Sequence, residues 1–171
     1  HTVGYTSPMV AATVVAGLLA GSTPEPARAR ERLAQGIEAA HAAGPTGDRP
    51  DESIGAALAA ARHLLIVGSG ADRTTARELT LKVEEAAYVP SASRDLETLL
   101  HGHLPATSGE TALVLVLLDR EAADARRTRA PQALAAAGAT GVRCAAILGA
   151  DAASAIPESL TPAGRIVVPE A

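Results

Sequence analysis

Two short runs of this chain, Leu64–Val67 and Ala112–Leu118, are apolar at every position, with no alternation. A strand of that kind has no face to offer water, so it belongs in a sheet covered on both sides. Val142–Leu148 reads as a third buried strand and Arg165–Val168 as a fourth. Helices are expected between them, from about Asp72 to Ala87 and from about Arg120 to Ala137, with Gly138 closing the second. Tyr88–Pro90 reads as a short strand and Asp95–His101 as a short helix. Strand–helix–strand alternation with short loops specifies an α/β fold: a three-layer, doubly wound parallel sheet with helices on both faces. Those helices must come close to the sheet, because the core has little that is large to fill it. Of 171 residues, 47% are hydrophobic, yet only Tyr5 and Tyr88 are aromatic.

The first 62 residues read differently. Ser7 and Pro8 suggest a cap and first turn for an apolar helix over Met9–Ala20, expected to be buried and ended by Gly21. A second helix is expected from about Pro24 to Ala43, and a third from Asp51, as its cap, to about Arg62. Gly44–Pro50 reads as a turn or short linker between them. The expected division is therefore a helical segment over 1–62 and an α/β domain over 63–171. A first residue His1 instead of Met, and an end at Ala171 just past a strand, suggest a piece of a longer polypeptide.

Several classes of function drop out. A net charge of −4, with no interleaving of aromatic and basic residues, argues against a nucleic-acid surface. The apolar stretch Met9–Ala20 falls short of the roughly 20 residues of a membrane span and lacks the basic start of a signal peptide. Cys144 is the single cysteine, which removes a disulfide framework and a cysteine-based zinc site. The chain is expected to be soluble, cytoplasmic and without a cofactor or metal.

Three groups of residues carry chemistry. In an open parallel sheet, ligands bind at the carboxyl ends of the strands, and the first strand ends in Gly68-Ser69-Gly70 before a helix. Two glycines allow close backbone approach, Ser69 offers a hydroxyl, and the helix start favours an anion such as phosphate. The same residues also suit a tight turn with no ligand. The third glycine of a dinucleotide fingerprint is missing, because Arg73 stands there. On the following helix Glu78, Lys82 and Glu85 form one stripe flanked by Leu79, Leu81 and Ala86. There Glu85 is either a carboxylate base of raised pKa or a neighbour of an exposed Glu78–Lys82 pair. His101-Gly102-His103 offers a metal ligand pair with no third partner in view, a lone acid/base, or a loop histidine bound by backbone. His41 and His63 have no chemical neighbours in sequence, and Cys144 reads as an inert buried thiol.

In order, Gly68-Ser69-Gly70, Ala76-Arg77-Glu78, Leu81–Tyr88 and Leu100-His101-Gly102 resemble the sugar isomerase (SIS) domain family. The likeness is to the second SIS domain in the isomerase half of glutamine–fructose-6-phosphate transaminase and its glutaminase-free tandem relatives. It is strong over Leu64–Leu104, and the spacing from Glu85 to His101 fits without a gap. The resemblance implies that Glu85 moves a proton between C1 and C2 of an open-chain phosphosugar. It implies that His101 opens the sugar ring, acting across the interface of a homodimer. Gly68, Ser69 and Gly70 would then lie beside the sugar, with Glu78 and Lys82 in support. Val3-Gly4-Tyr5-Thr6 and the helix after it look like the end of a preceding SIS domain. The Ser/Thr-rich phosphate loop of that domain and the family's C-terminal tail with its lysine are not among these residues; Lys82 does not match that lysine, and His103 stands where proline is usual. The expected function is an isomerase or aminosugar-phosphate deaminase acting on a sugar 6-phosphate, with a non-catalytic phosphosugar-binding module as the alternative.

Overall fold

The computed structural model describes residues 2–22, 26–42, 49–120 and 123–168. The chain divides into two units, 1–38 with residue 171, and 39–170. The first unit holds α1 (Thr2–Leu19) and most of α2 (Pro26–His41). Pro8 lies inside α1, so the helix starts earlier than a Ser7–Pro8 cap implies. Val15, Leu18 and Leu19 are exposed, so the expectation of a buried helix does not hold for the chain by itself.

The second unit carries the sheet. It comprises α3 (Pro50–Leu58), β1 (His63–Val67), α4 (Asp72–Ala87), β2 (Ser91–Arg94), β3 (Thr111–Leu117), β4 (Arg143–Gly149) and β5 (Arg165–Val168). Between β2 and β3 come α5 (Leu96–Thr98), a π-helical turn over Leu99–His103 and a 3-10 turn over Leu104–Ala106. Helix α6 (Ala123–Ala139) joins β3 to β4, and the short α7 (Ala150–Ala153) follows β4. All pairings are parallel, in the order β2-β1-β3-β4-β5.

Alternate residues of the central strands feed two cores. Val67, Leu113, Leu115, Leu117, Cys144 and Leu148 face α5, the π turn and α6, where Ala130, Ala133 and Ala137 let the helix sit close. Leu64, Ile66, Val114, Val116 and Ala145 face α3 and α4, against Ile54, Ala76, Leu79 and Val83. This is the three-layer, doubly wound parallel sheet the apolar runs predict.

Helix α4 has the bounds expected of it, whereas two neighbouring elements are displaced. Arg49, not Asp51, caps α3, with Pro50 and Asp51 in its first turn. The second strand lies at Ser91–Arg94 rather than at Tyr88–Pro90, because Tyr88 ends α4 in the left-handed conformation (φ 56°) and the strand follows the proline, which has no N–H for a ladder.

Cys144 is an inert core thiol. It is 1% exposed, donates weakly to the Leu134 and Val142 carbonyls, and burial pushes its pKa up to about 11. A disulfide-exchange reagent at neutral pH is expected to label it at least about 10³-fold more slowly in the folded chain than in urea. Rapid labelling under native conditions would mean that α6 does not seal β4.

Candidate functional site

In the order 2-1-3-4-5 the connections leave in opposite directions at β1 and β3, and the crevice at their carboxyl ends is where such sheets take ligands. The turn Gly68-Ser69-Gly70 occupies that point. A Cβ on Gly68 would sit 2.5 Å from the Asp72 carbonyl oxygen and 3.2 Å from the Ala76 Cβ, so α4 packs against bare backbone. Gly68→Ala is expected to destabilise the chain by about 3 kcal/mol, read as a lower urea midpoint, since backbone cannot step aside as a flexible side chain does. Gly70 has φ +63°, the left-handed region, and its backbone lies under the Arg126 guanidinium. The Ser69 hydroxyl accepts a hydrogen bond from the Leu96 N–H (3.0 Å) and keeps its own proton to donate.

Residues that sequence reasoning did not single out complete the crevice. The Asp72 carboxylate, 3% exposed, accepts from the Leu118 N–H (2.9 Å) and the Asp119 N–H (3.0 and 3.1 Å). Burial raises its pKa, and those two N–H groups pull against the rise. Asp119 accepts from the Ala71 N–H (3.0 Å) and from Arg126 Nη1 (2.6 Å). The start of α4, where an anion was expected, therefore already carries a carboxylate of the chain itself. Arg127 pairs with Asp151 past the end of β4 in the same manner. The only hint in sequence is an aspartate at each end of an apolar strand or helix; all the pairings but Asp119–Arg126 span more than twenty residues.

The proposed acid/base residues sit in two separate surface clusters. Lys82 Nζ lies 2.8 Å from Glu85 Oε2 and 3.6 Å from Glu78 Oε1. The hydrogen bond to Glu85, ahead of charge attraction, raises the Lys82 pKa and holds the ammonium protonated. The Glu85 side chain is 53% exposed and Leu81 is exposed beside it, so the described residues of this chain do not form the apolar surround expected of a base. His101 Nε2 lies 3.2 Å from Glu97 Oε2, and Arg129 forks onto both Glu97 oxygens (2.7 and 3.0 Å). The Arg129 hydrogen bond holds the Glu97 pKa below its ordinary value. No hydrogen bond or ion pair among the described residues joins Glu85 to His101. His103 turns away from His101 and lines a groove at the other end of β1, so the His-Gly-His pair does not converge. No group of three or more metal-ligating side chains occurs among the described residues, and none of their helices is long and apolar enough to cross a membrane.

The fold recurs in known structures. The C-terminal domain of glucosamine-fructose-6-phosphate aminotransferase from Francisella tularensis superposes with a TM-score of 0.62 at 17% identity, over 84% of this chain and 37% of that one. Tagatose-6-phosphate ketose/aldose isomerase from Escherichia coli gives 0.50 at 20% identity, over 71% and 32%. The sugar isomerase domain of the RpiR transcription factor from Sphaerobacter thermophilus gives 0.57 at 16% identity, over 83% and 73%. The chain thus spans little more than a third of the length of the aminotransferase domain it matches. No curated protein sequence matches it significantly. The SIS domain model matches residues 57–156, from the end of α3 to just past α7, and the chain belongs to the SIS domain family.

Proposed function

We propose that the chain binds a sugar 6-phosphate or aminosugar 6-phosphate at the Gly68-Ser69-Gly70 crevice, and that the protein containing it interconverts aldose and ketose or removes the amino group. The observation that carries this reading is the glycine turn at the β1/β3 switch point of a SIS domain, with a free Ser69 proton beside it. Glu85 is the base for proton transfer through an enediol, and Glu78 and Lys82 hold it in a charged network. His101, oriented by Glu97, serves ring opening in the site of the second subunit of a homodimer. That arrangement accounts for the exposure of both residues in a single chain. Residues 1–62 are the end of a preceding SIS domain with linker helices, 63–171 are the SIS domain, and the protein works in the cytoplasm.

A second reading is a phosphosugar-binding module without catalysis. What favours it is the occupied start of α4, with Asp119 on the Ala71 N–H, together with the lack of an apolar pocket around Glu85 among the described residues.

A thermal-shift panel of ketose, aldose and 2-amino-sugar 6-phosphates tests the common part. A ligand at 100 times its Kd adds about 2.7 kcal/mol to stability. A shift with one sugar class supports the site, and no shift with any counts against it. Turnover of the ligand that shifts separates the enzyme from the binding module.

A further inference from the structure

A groove of about 240 Å³ opens on the α6 side of the sheet, lined from the amino ends of β1, β2 and β3 to Arg94 at the carboxyl end of β2, whose carbonyl accepts the Gly68 N–H (3.0 Å). His63 and Leu65 of β1 and Ala92 and Arg94 of β2 share the same side of the pleat, because Leu65 stands beside Ala92 and Val67 beside Arg94 in register. His103, Ala106 and Thr107, from the turns after α5, form the other wall. The lining includes one guanidinium and two imidazoles and no carboxylate, in a chain whose net charge is −4.

Most of these donors are unspent. Arg94 Nη1 bonds only the carbonyl of Ser93, and its buried Nε has no acceptor. Neither the His63 nor the His103 ring has a hydrogen-bond or ion-pair partner among the described residues. Two of the lining hydroxyls already donate, Ser91 to the Val89 carbonyl and Thr107 to the Leu104 carbonyl, while that of Thr111 accepts from the Ser108 N–H. A buried guanidinium N–H without an acceptor is the kind of group that oxyanions satisfy, and Arg does so with a forked geometry. The volume, about eight waters' worth, lies below the usual range for larger ligands.

We propose that this groove is a second ligand site, for a small oxyanion (a phosphate ester or carboxylate of a few carbons), with Arg94 as its anchor and His63 and His103 as flanking donors. The proposal does not rest on the sugar-phosphate reading of the glycine turn.

The test is a titration of the full chain with inorganic phosphate and, separately, with acetate, at constant ionic strength set with chloride. The readout is the NMR signals of the Arg94 Nε–H and the histidine rings. The expected result is saturable movement of Arg94, His63 and His103 with at least one probe, while His101 and the Ser69 and Gly70 amides stay put; the Gly68 amide, bonded to the Arg94 carbonyl, is not used as a control. The probe that binds more tightly names the headgroup. Arg94→Gln is expected to weaken binding about tenfold or more. His103→Gln, in a surface turn, weakens it less and serves if the arginine variant does not fold. Movement that stays linear with both probes, saturable movement confined to Ser69 and Gly70, or unchanged affinity in a folded variant of either residue would overturn the site.

Discussion

Replacing Asp72 with alanine is expected to lower stability by about 3–5 kcal/mol, a fall of about 10 °C in melting temperature for a chain of this size. One buried carboxylate accepts the N–H groups of both Leu118 and Asp119, at the point where β3 ends, and so ties that end to the start of α4. Alanine leaves both part-buried donors without their acceptor. Asparagine should recover only part of the loss, because its amide turns a donor toward one of the two N–H groups. The pH dependence has a definite sign. Burial raises the carboxyl pKa of folded Asp72 above its ordinary 3.8, so the unfolded chain ionises first as pH rises. The stability advantage of wild type over Asp72→Ala is therefore greatest below that value and shrinks as pH climbs through the raised pKa. Urea melts of both proteins across the acidic range measure it. A loss under about 1 kcal/mol at every pH would mean the clamp is not what joins α4 to β3.

The second large effect concerns chemistry. On the proposed reading, Glu85→Gln is expected to cut turnover by about 10² to 10⁴-fold while leaving KM nearly unchanged. Glutamine keeps the size and a hydrogen-bonding oxygen but cannot take a proton from C1 or C2. Exchange of solvent deuterium into that carbon should disappear together with turnover. Lys82 supplies an internal check: its pKa is raised chiefly by the hydrogen bond to Glu85, so in the variant it should fall back toward 10.5. A normal rate in a variant whose Lys82 pKa has fallen would remove Glu85 from the role of base and assign the proton transfer to another residue.

How legible each part is in sequence follows from the range of the interactions that make it. The buried strands and α4 declare themselves through local composition, because a run such as Ala112–Leu118 has no alternative to burial on both sides. The SIS likeness is legible for the same reason, since its motifs lie along the 41 residues from Leu64 to Leu104 in order. Strand β2 is displaced because Tyr88 adopts a conformation its residue type does not advertise. The crevice contacts are invisible locally: Asp72 meets Leu118 across 46 positions, and Ala71 meets Asp119 across 48. The stripe of Glu78, Lys82 and Glu85 was readable as a stripe, but whether it faces an apolar surround depends on what packs outside it. The groove of His63, Arg94 and His103 needed both the register of β1 on β2 and the separation of two histidines a glycine apart.

The strand order also has a consequence for how the chain is made. β1 has apolar residues on both faces, and one of its two neighbours, β3, is completed only at Leu117. A ribosome that has released α4 and β2 has thus exposed a strand with one edge unpaired and much of its covering surface untranslated. Pairing of β1 with β3 is complete only 48 residues after β1 ends, at Leu115 against Val67, a delay intrinsic to parallel sheets. During that interval the Asp72 clamp, reaching across the same gap, stays open, and it can close only when Leu118 and Asp119 have been made.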